Sequence, residues 1–202
     1  MILFCPWLML IAVCSSLKNF NMFHVEHLIK GRLIMSTERV MEYLKKWGRE
    51  NDVIEAKVST ATVPQAADAL GVEPGRIAKS ITLRNGRGGG LMVVASGDAK
   101  IDNKKFKQYF GFSPRMLSSE EAYTLTGYQV GGVCPFDLSP NVNVYLDESL
   151  LRFDAVYPAC GSSSSMIKIN NAELSEYSKS SGWVDVCRIA PANSDSNSDC
   201  ST

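Results

Sequence analysis

The sequence predicts an α+β domain: a curled, barrel-like mixed β-sheet with peripheral helices. Short apolar runs with the alternation typical of strands are interspersed with amphipathic helical segments, in mixed order and without an internal repeat. The chain has 202 residues, 45% of them hydrophobic, which suffices for one domain of ordinary size with a proper core. We therefore expect one folded domain, over residues 35–190.

Capping residues and hydrophobic periodicity place the individual elements. Thr62 and Asp102 are typical helix N-caps, Ser118 with Glu121 forms a capping box, and Asn85-Gly86 opens the loop of a hairpin. We expect helices at residues 36–50, 64–70, 103–110, from 119 onward and at 171–179, and strands at residues 53–58, 77–84, 91–96, 142–146, 154–158, 166–169 and 183–187.

The two ends of the chain differ from this domain in composition. Residues 1–17 are apolar, but no Lys or Arg precedes the apolar run, and it is shorter than the ~20 residues that span a bilayer. We interpret residues 1–34 as a doubtful leader added by a mis-called start, because Met35 opens a good amphipathic helix. Residues 191–202 are small, polar and free of aromatic side chains, so we expect them to be disordered.

Charge and residue usage exclude several classes of function. Lys plus Arg and Asp plus Glu number 21 each, so no global field draws the protein to nucleic acid or to a membrane. Both histidines, His24 and His27, precede the domain, which therefore lacks an imidazole for triad catalysis and the usual zinc patterns. The three cysteines of the domain, Cys134, Cys160 and Cys187, form no C-x-x-C pair. We expect free thiols, a cytoplasmic protein, and neither metal nor cofactor.

The strand predicted at residues 77–84 carries a lysine in an unusual position. Lys79 shares its face of the strand with aliphatic side chains, where a buried ammonium needs an anion or a carbonyl as partner. It either binds substrate or extends from the strand end to water. The sequence leaves both interpretations open.

Two glycine-containing segments can also carry chemistry. The bend from Gly131 and Gly132 to Pro135 either exposes backbone N–H groups to a ligand or is an ordinary tight turn. The loop with Cys160, Gly161 and the serines after it either lines a polar pocket or is simply solvated. A local basic cluster contacts phosphates or forms a solvated helix face; it consists of Lys100, Lys104, Lys105 and Lys107.

Three features occur in a fixed order along the chain: a strand lysine (residues 76–81), a Gly-Gly-x-x-Pro bend (131–135) and a small-residue glycine loop (159–162). In this order the sequence resembles the YbaK/EbsC family. This family includes the editing domain of prolyl-tRNA synthetase and free-standing relatives, and the resemblance extends over residues 36–188. It implies a role in translation fidelity: hydrolysis of the ester that joins an amino acid to the terminal adenosine of a mischarged tRNA, without metal or cofactor. The implied partners are the tRNA acceptor end and, as a candidate, an aminoacyl-tRNA synthetase; the oligomeric state stays open.

The resemblance also assigns roles to residues. Lys79 matches the family's essential lysine, which is expected to hold and polarise the ester end of the substrate. Met166 stands where members acting on cysteinyl-tRNA carry an acidic residue, so specificity for cysteine does not follow. Cys160 replaces a smaller residue found in many relatives. The implied substrate-binding residues are Ser80, Gly131, Gly132, Pro135, Cys160, Gly161 and Ser162.

Two functions from other classes stay open. The neutral composition and the missing base are compatible with a non-catalytic module that binds tRNA or a synthetase. Cys134 and Cys160 each lie beside a glycine or proline bend, which motivates a thiol-dependent redox protein.

Overall fold

The structure is a computed structural model that describes residues 36–86 and 89–189. The predictions for residues 1–34 and 191–202 lie outside the described residues, and so does part of the hairpin loop, residues 87 and 88.

The described residues form helices and strands in mixed order. The helices are α1 (Ser36–Leu44), α2 (Val63–Leu70), α3 (Asn103–Phe110), α4 (Ser119–Thr126) and α5 (Asn171–Tyr177). The strands are β1 (Val53–Glu55), β2 (Ile77–Arg84), β3 (Gly90–Ser96), β4 (Ala99–Ile101), β5 (Val142–Asp147), β6 (Tyr157–Pro158), β7 (Ser165–Ile167), β8 (Trp183–Val184) and β9 (Cys187–Ile189). Short 3-10 helices lie at Lys45–Trp47, Glu50–Asp52, Pro74–Arg76 and Glu148–Arg152.

The strands form a five-stranded sheet and two ribbons. The sheet has the order β6-β2-β3-β5-β8, with β2 and β3 antiparallel and the other neighbours parallel. The ribbons are the antiparallel pairs β1–β7 and β4–β9. The predicted α+β fold with a mixed sheet is confirmed. Within the described residues this sheet ends at β6 and β8 and does not close into a ring; single bridges join residues on either side of β6 to the β7 segment.

The central strand β3 supplies two hydrophobic cores. All of its residues are buried, and their side chains alternate between the two faces of the sheet. Met92 and Val94 pack in the core that includes side chains of α1 and α5. Leu91 and Val93 pack in the second core, which includes Phe106 of α3. The sheet is therefore covered on both faces, and a site can form only at its edges or ends.

The predicted helix caps are present. Thr62 and Gln65 form a reciprocal capping box at α2, and Ser118 and Glu121 form another at α4. The carboxylate of Asp102 accepts from two backbone N–H groups in the first turn of α3. These contacts satisfy N–H groups that a helix leaves without partners, and they fix where each helix begins.

Some boundaries differ from the predictions. The first helix ends at Leu44 instead of reaching residue 50, and the chain tightens into a 3-10 turn before Gly48, which has a left-handed φ of 66°. The strand predicted at residues 183–187 is divided into β8 and β9, and β4 was not predicted, because strands this short show little alternation. No helix of the described part of the chain is long and apolar enough to cross a membrane.

Candidate active site

A cleft of about 390 Å³ lies along the edge of β2 that faces away from β3. Residues 77–82 of β2 form its floor. Its walls come from the segment that leads into α2, the first turn of α4 with the segment before it, and the bend at residues 130–133. Tyr157, Ala159 and Met166 close one end. The fold thus brings the predicted strand lysine and one predicted glycine bend to the same cleft.

Lys79 lines this cleft and is the only formally charged residue among the described residues that do so. Its neighbours on the same strand face, Ile77 and Ile81, are buried, and Lys79 itself is half-buried. The Nζ atom donates to the backbone carbonyl of Ala99 at 2.6 Å and to that of Gly97 at 3.3 Å. Burial lowers the pKa of the Lys79 ammonium, because it removes water that would stabilise the charge.

The geometry at Lys79 defines what this side chain can do. An ammonium has three N–H groups, and the two carbonyls use two of them. One N–H of Lys79, a residue of the cleft lining, is not used by these two contacts. The ammonium is held in place by backbone before any ligand arrives, and a donor fixed in this way stabilises negative charge that develops during a reaction.

The turn that holds Lys79 is itself braced. Arg152 donates to both carboxylate oxygens of Asp98, at 2.5 and 3.1 Å, and to the hydroxyl of Ser96 at 2.7 Å. Gly97 lies between them, and a Cβ atom there would be 2.2 Å from the carbonyl oxygen of Pro74. Sequence reasoning missed this support. The signal that could have indicated it is the Ser-Gly-Asp stretch at residues 96–98.

Ser80 presents unused hydrogen-bonding groups to the cleft. Its Oγ is buried and, among the described residues, has no hydrogen-bond partner. The edge of β2 that faces away from β3 is paired with β6 at Ala78, and the carbonyl of Thr82 accepts from the N–H of Leu117, but on this edge no described strand pairs with Ser80. Backbone groups of alternate residues point to the same edge of a strand, so the N–H and C=O of Ser80 point to this open edge. Buried polar groups of this kind indicate a place for a ligand or water.

The two predicted glycine segments pack against each other. A Cβ atom on Gly132 would lie 2.7 Å from the Cα of Ser162 and 2.8 Å from the carbonyl of Gly161. Gly161 has a left-handed φ of 89°, and a Cβ there would lie 2.4 Å from the carbonyl oxygen of Ser36. Gly131, with φ 90°, lines the cleft directly. Glycine is therefore needed at Gly132 so that the two segments can approach closely, and at Gly161 so that its loop can approach the backbone of Ser36.

The other predicted substrate-binding residues lie behind the cleft wall. Pro135 and Cys160 are buried and do not belong to the described cleft lining. The hydroxyl of Ser162 contacts Ser165 at 2.8 Å, and Ser165 donates to the backbone carbonyl of Cys160 at 2.9 Å. Of this second segment only Ala159 lines the cleft, while residues 160–162 support the wall through their contact with Gly132.

The thiols lack the features of a reactive cysteine. Cys134 and Cys160 are fully buried. Burial raises the pKa of Cys134 to about 12 and that of Cys160 well above its usual value. A reactive thiol needs exposure and a lowered pKa, so the structure gives no support to the redox interpretation. Within the described residues, no group of three or more His, Cys, Asp or Glu side chains is arranged to hold a metal ion.

The far end of the cleft is apolar. Met166 is 2% exposed there and belongs to a small core cluster with Ile77 and Ala66. Two large apolar side chains at the cleft, Met116 and Val130, are exposed at 64% and 65%. The site therefore combines one fixed cation and a polar strand edge with an apolar pocket. This combination suits a ligand in which an uncharged group is attached to a polar, electron-rich group.

Known proteins are similar to this chain in sequence and in fold. The sequence model of the aminoacyl-tRNA editing domain family matches residues 57–177. The uncharacterized protein YwhH of Bacillus subtilis (strain 168) is 52% identical over 154 residues, 76% of this chain and 98% of YwhH. EbsC of Enterococcus faecalis (strain ATCC 700802 / V583), provisionally named a Cys-tRNA(Pro)/Cys-tRNA(Cys) deacylase, is 28% identical over 104 residues, 51% of this chain and 63% of EbsC.

A solved structure is also similar to this chain in fold and in sequence. The crystal structure of a protein provisionally described as a trans-editing enzyme for prolyl-tRNA synthetase has a TM-score of 0.69 to this chain, at 30% sequence identity. The match covers 78% of this chain and 99% of the chain in that structure. The residues matched by the family model include Lys79 and both glycine segments. The chain belongs to the aminoacyl-tRNA editing domain family.

Proposed function

We propose that this protein is a trans-editing hydrolase that deacylates mischarged aminoacyl-tRNA. The observation that carries this proposal is the ammonium of Lys79, a residue of the cleft lining, which is fixed by two carbonyls and has one N–H that they do not use. Membership of the editing family and the names of EbsC and of the structural relative support the substrate class.

The reaction is hydrolysis of an ester. The oxygen of a water molecule bonds to the carbonyl carbon of the aminoacyl group, and negative charge develops on the carbonyl oxygen. The bond from that carbon to the ribose oxygen then breaks. One proton of the attacking water is transferred to the ribose oxygen, which becomes a hydroxyl, and the other is released to solvent, so the amino acid leaves as a carboxylate. The donors we assign to the carbonyl oxygen are the ammonium of Lys79 and the backbone N–H and hydroxyl of Ser80, which favour the charged intermediate over the ester.

Electrostatics and positioning carry this mechanism. Both histidines of the chain precede residue 35, so the described site has no imidazole to remove a proton. A strongly polarised carbonyl can be attacked by water or by a hydroxyl or thiol of the substrate itself. The wall at Gly131 then serves to hold the aminoacyl group, because correct placement alone contributes greatly to such reactions.

The lining of the cleft points to an uncharged aminoacyl group. Met166, Ala159 and Ile77 present apolar surface at the end of the cleft, and no acidic residue is found among the described residues that line it. Met166 occupies the position aligned with the acidic residue of members that act on cysteinyl-tRNA, so we do not assign cysteine as the preferred amino acid. We place the activity in the cytoplasm, where aminoacyl-tRNA is made, and keep a synthetase as a candidate partner.

A panel of mischarged tRNAs tests the proposal. Wild-type protein should release the amino acid from at least one tRNA carrying an uncharged side chain, and Lys79→Ala should reduce kcat/KM by about 10²–10³-fold, the usual effect of removing one such donor. Lys168→Ala, at an exposed residue outside the cleft lining, is the control and should match wild type. Tight binding of charged tRNA without turnover would instead support a non-catalytic binding module.

A further inference from the structure

Two cations on the β4–β9 ribbon lie directly opposite each other. Lys100 and Arg188 are register partners in this antiparallel ribbon, and both are exposed. Side chains of directly opposite residues share one face, with Cβ atoms ~4.5–5.5 Å apart, and like charges in this arrangement repel. A bound anion would relieve that repulsion.

The acidic groups near this basic pair are engaged elsewhere. Asp102 acts electrostatically on Arg188, but its carboxylate accepts from two backbone N–H groups of α3. Asp185 forms an ion pair with Lys105 at 2.6 Å. Among the described residues, neither Lys100 nor Arg188 belongs to an ion pair. The sequence around the pair is also locally basic, with four lysines against one aspartate in residues 99–110, although the whole chain is neutral.

The basic pair lies next to the turn that holds Lys79. The carbonyl of Ala99, which accepts from Lys79, belongs to the residue immediately before Lys100. The charge of Lys100 contributes to lowering the pKa of Lys79, after burial, which is the main cause. An anion bound at the pair would therefore lie beside the ammonium that we assign to the ester.

We propose that Lys100 and Arg188 bind backbone phosphates near the 3′ end of the tRNA acceptor arm while the cleft holds the aminoacyl group. This inference rests on the proposed function, because it takes the same substrate as its partner. RNA fits the pair better than an acidic protein does, since a polynucleotide that enters the cleft by its 3′ end carries phosphates next to the reacting ester. The contact would supply affinity without reading sequence.

The test compares a long and a short substrate. One is aminoacyl-tRNA, and the other is the aminoacyl ester of adenosine, which has no phosphates. The double variant Lys100→Gln/Arg188→Gln should raise KM for aminoacyl-tRNA about 10-fold and leave hydrolysis of aminoacyl-adenosine unchanged. The control Lys168→Gln/Lys179→Gln, which removes the same charge from exposed residues on other parts of the surface, should behave as wild type on both substrates.

Binding of uncharged tRNA gives an independent readout. The slope of log affinity against log salt should be smaller by about 1.4–1.8 in the Lys100→Gln/Arg188→Gln variant, corresponding to two lost phosphate contacts. An unchanged slope overturns the inference, and so does an equal loss of activity on both substrates, which would mean that the pair acts through Lys79. If the wild type hydrolyses neither substrate, the proposed function fails, and the salt slope still decides whether the pair binds phosphates.

Discussion

The close packing of the two glycine segments predicts a specific effect of Gly132→Ala. The new methyl group would lie 2.7 Å from the Cα of Ser162 and 2.8 Å from the carbonyl carbon and oxygen of Gly161. Carbon atoms in ordinary contact are about 3.5–4.0 Å apart, so one backbone must move by roughly 0.7–1.3 Å. Since both contacts are backbone, no side chain can rotate away.

This displacement should affect stability and activity together. Overpacking of this kind costs about 1–3 kcal/mol, which lowers Tm by several degrees for a domain of this size. The residue next to it, Gly131, lines the cleft, and a misplacement near 1 Å can reduce a rate about 10²-fold. Gly111→Ala is the matched control: Gly111 has a left-handed φ of 81° but open space around its Cβ position. It should lose about 1–2 kcal/mol through backbone strain alone and keep its activity.

Urea unfolding and kcat/KM for aminoacyl-tRNA check both effects. We expect Gly132→Ala and Gly111→Ala to be destabilised to a similar degree, with a loss of activity only in Gly132→Ala. The reasoning is refuted if Gly132→Ala is as stable as wild type, or if the two variants lose activity in proportion to their stability.

Three further predictions concern titratable groups. Burial lowers the pKa of Lys79, so the enzymatic rate should fall as pH rises through that lowered pKa, which lies below the ~10.4 of a free lysine. The rate measured with Lys79→Ala is subtracted as background. A rate that does not change with pH would contradict the role of the ammonium. Partial burial raises the pKa of Asp98, but hydrogen bonds from Arg152 and Ser96 outweigh it and lower that pKa. The Asp98 carboxylate therefore stabilises the fold above about pH 4, and this stability is lost as pH falls through the lowered pKa. Asp98→Asn should therefore be less stable than wild type in urea at pH 7, with a difference that shrinks near pH 3; a constant difference would be evidence against the carboxylate. Cys134 and Cys160 should react with a thiol reagent only after unfolding, and rapid labelling of the native protein would show that they are accessible.

Much of the fold could be predicted because its signals are local. The boxes at Thr62 and Ser118 are four-residue patterns that satisfy the helix's own N–H groups, and the long hairpin of β2 and β3 alternates clearly. The β4–β9 ribbon could not be predicted in this way. Its strands have three residues each, and their pairing joins segments more than 80 residues apart, which no local pattern reveals.

In the candidate site, too, features with a local sequence signal could be predicted, and features that depend on tertiary contacts could not. Lys79 was noticeable because one cation stood among strand aliphatics, whereas the groups that hold it are backbone carbonyls, which every residue carries. Arg152 reaches the supporting turn across 54 residues of sequence, so its contribution depends on tertiary structure. The family resemblance implied that Cys160 binds substrate. The structure places Cys160 in the core and its neighbour Ala159 in the cleft lining, because successive side chains of an extended segment point to opposite sides.

The catalytic role of Lys79 is tested most directly by single-turnover hydrolysis of a mischarged tRNA that the wild type deacylates. Lys79→Gln removes the charge and keeps a hydrogen-bond donor, so it separates electrostatic stabilisation from simple contact. The account predicts that the rate constant of the chemical step falls by about 10²–10³-fold while Kd for the tRNA changes little. A variant that hydrolyses the bound ester as fast as wild type, with only its Kd raised, would contradict it and make Lys79 a residue that binds substrate.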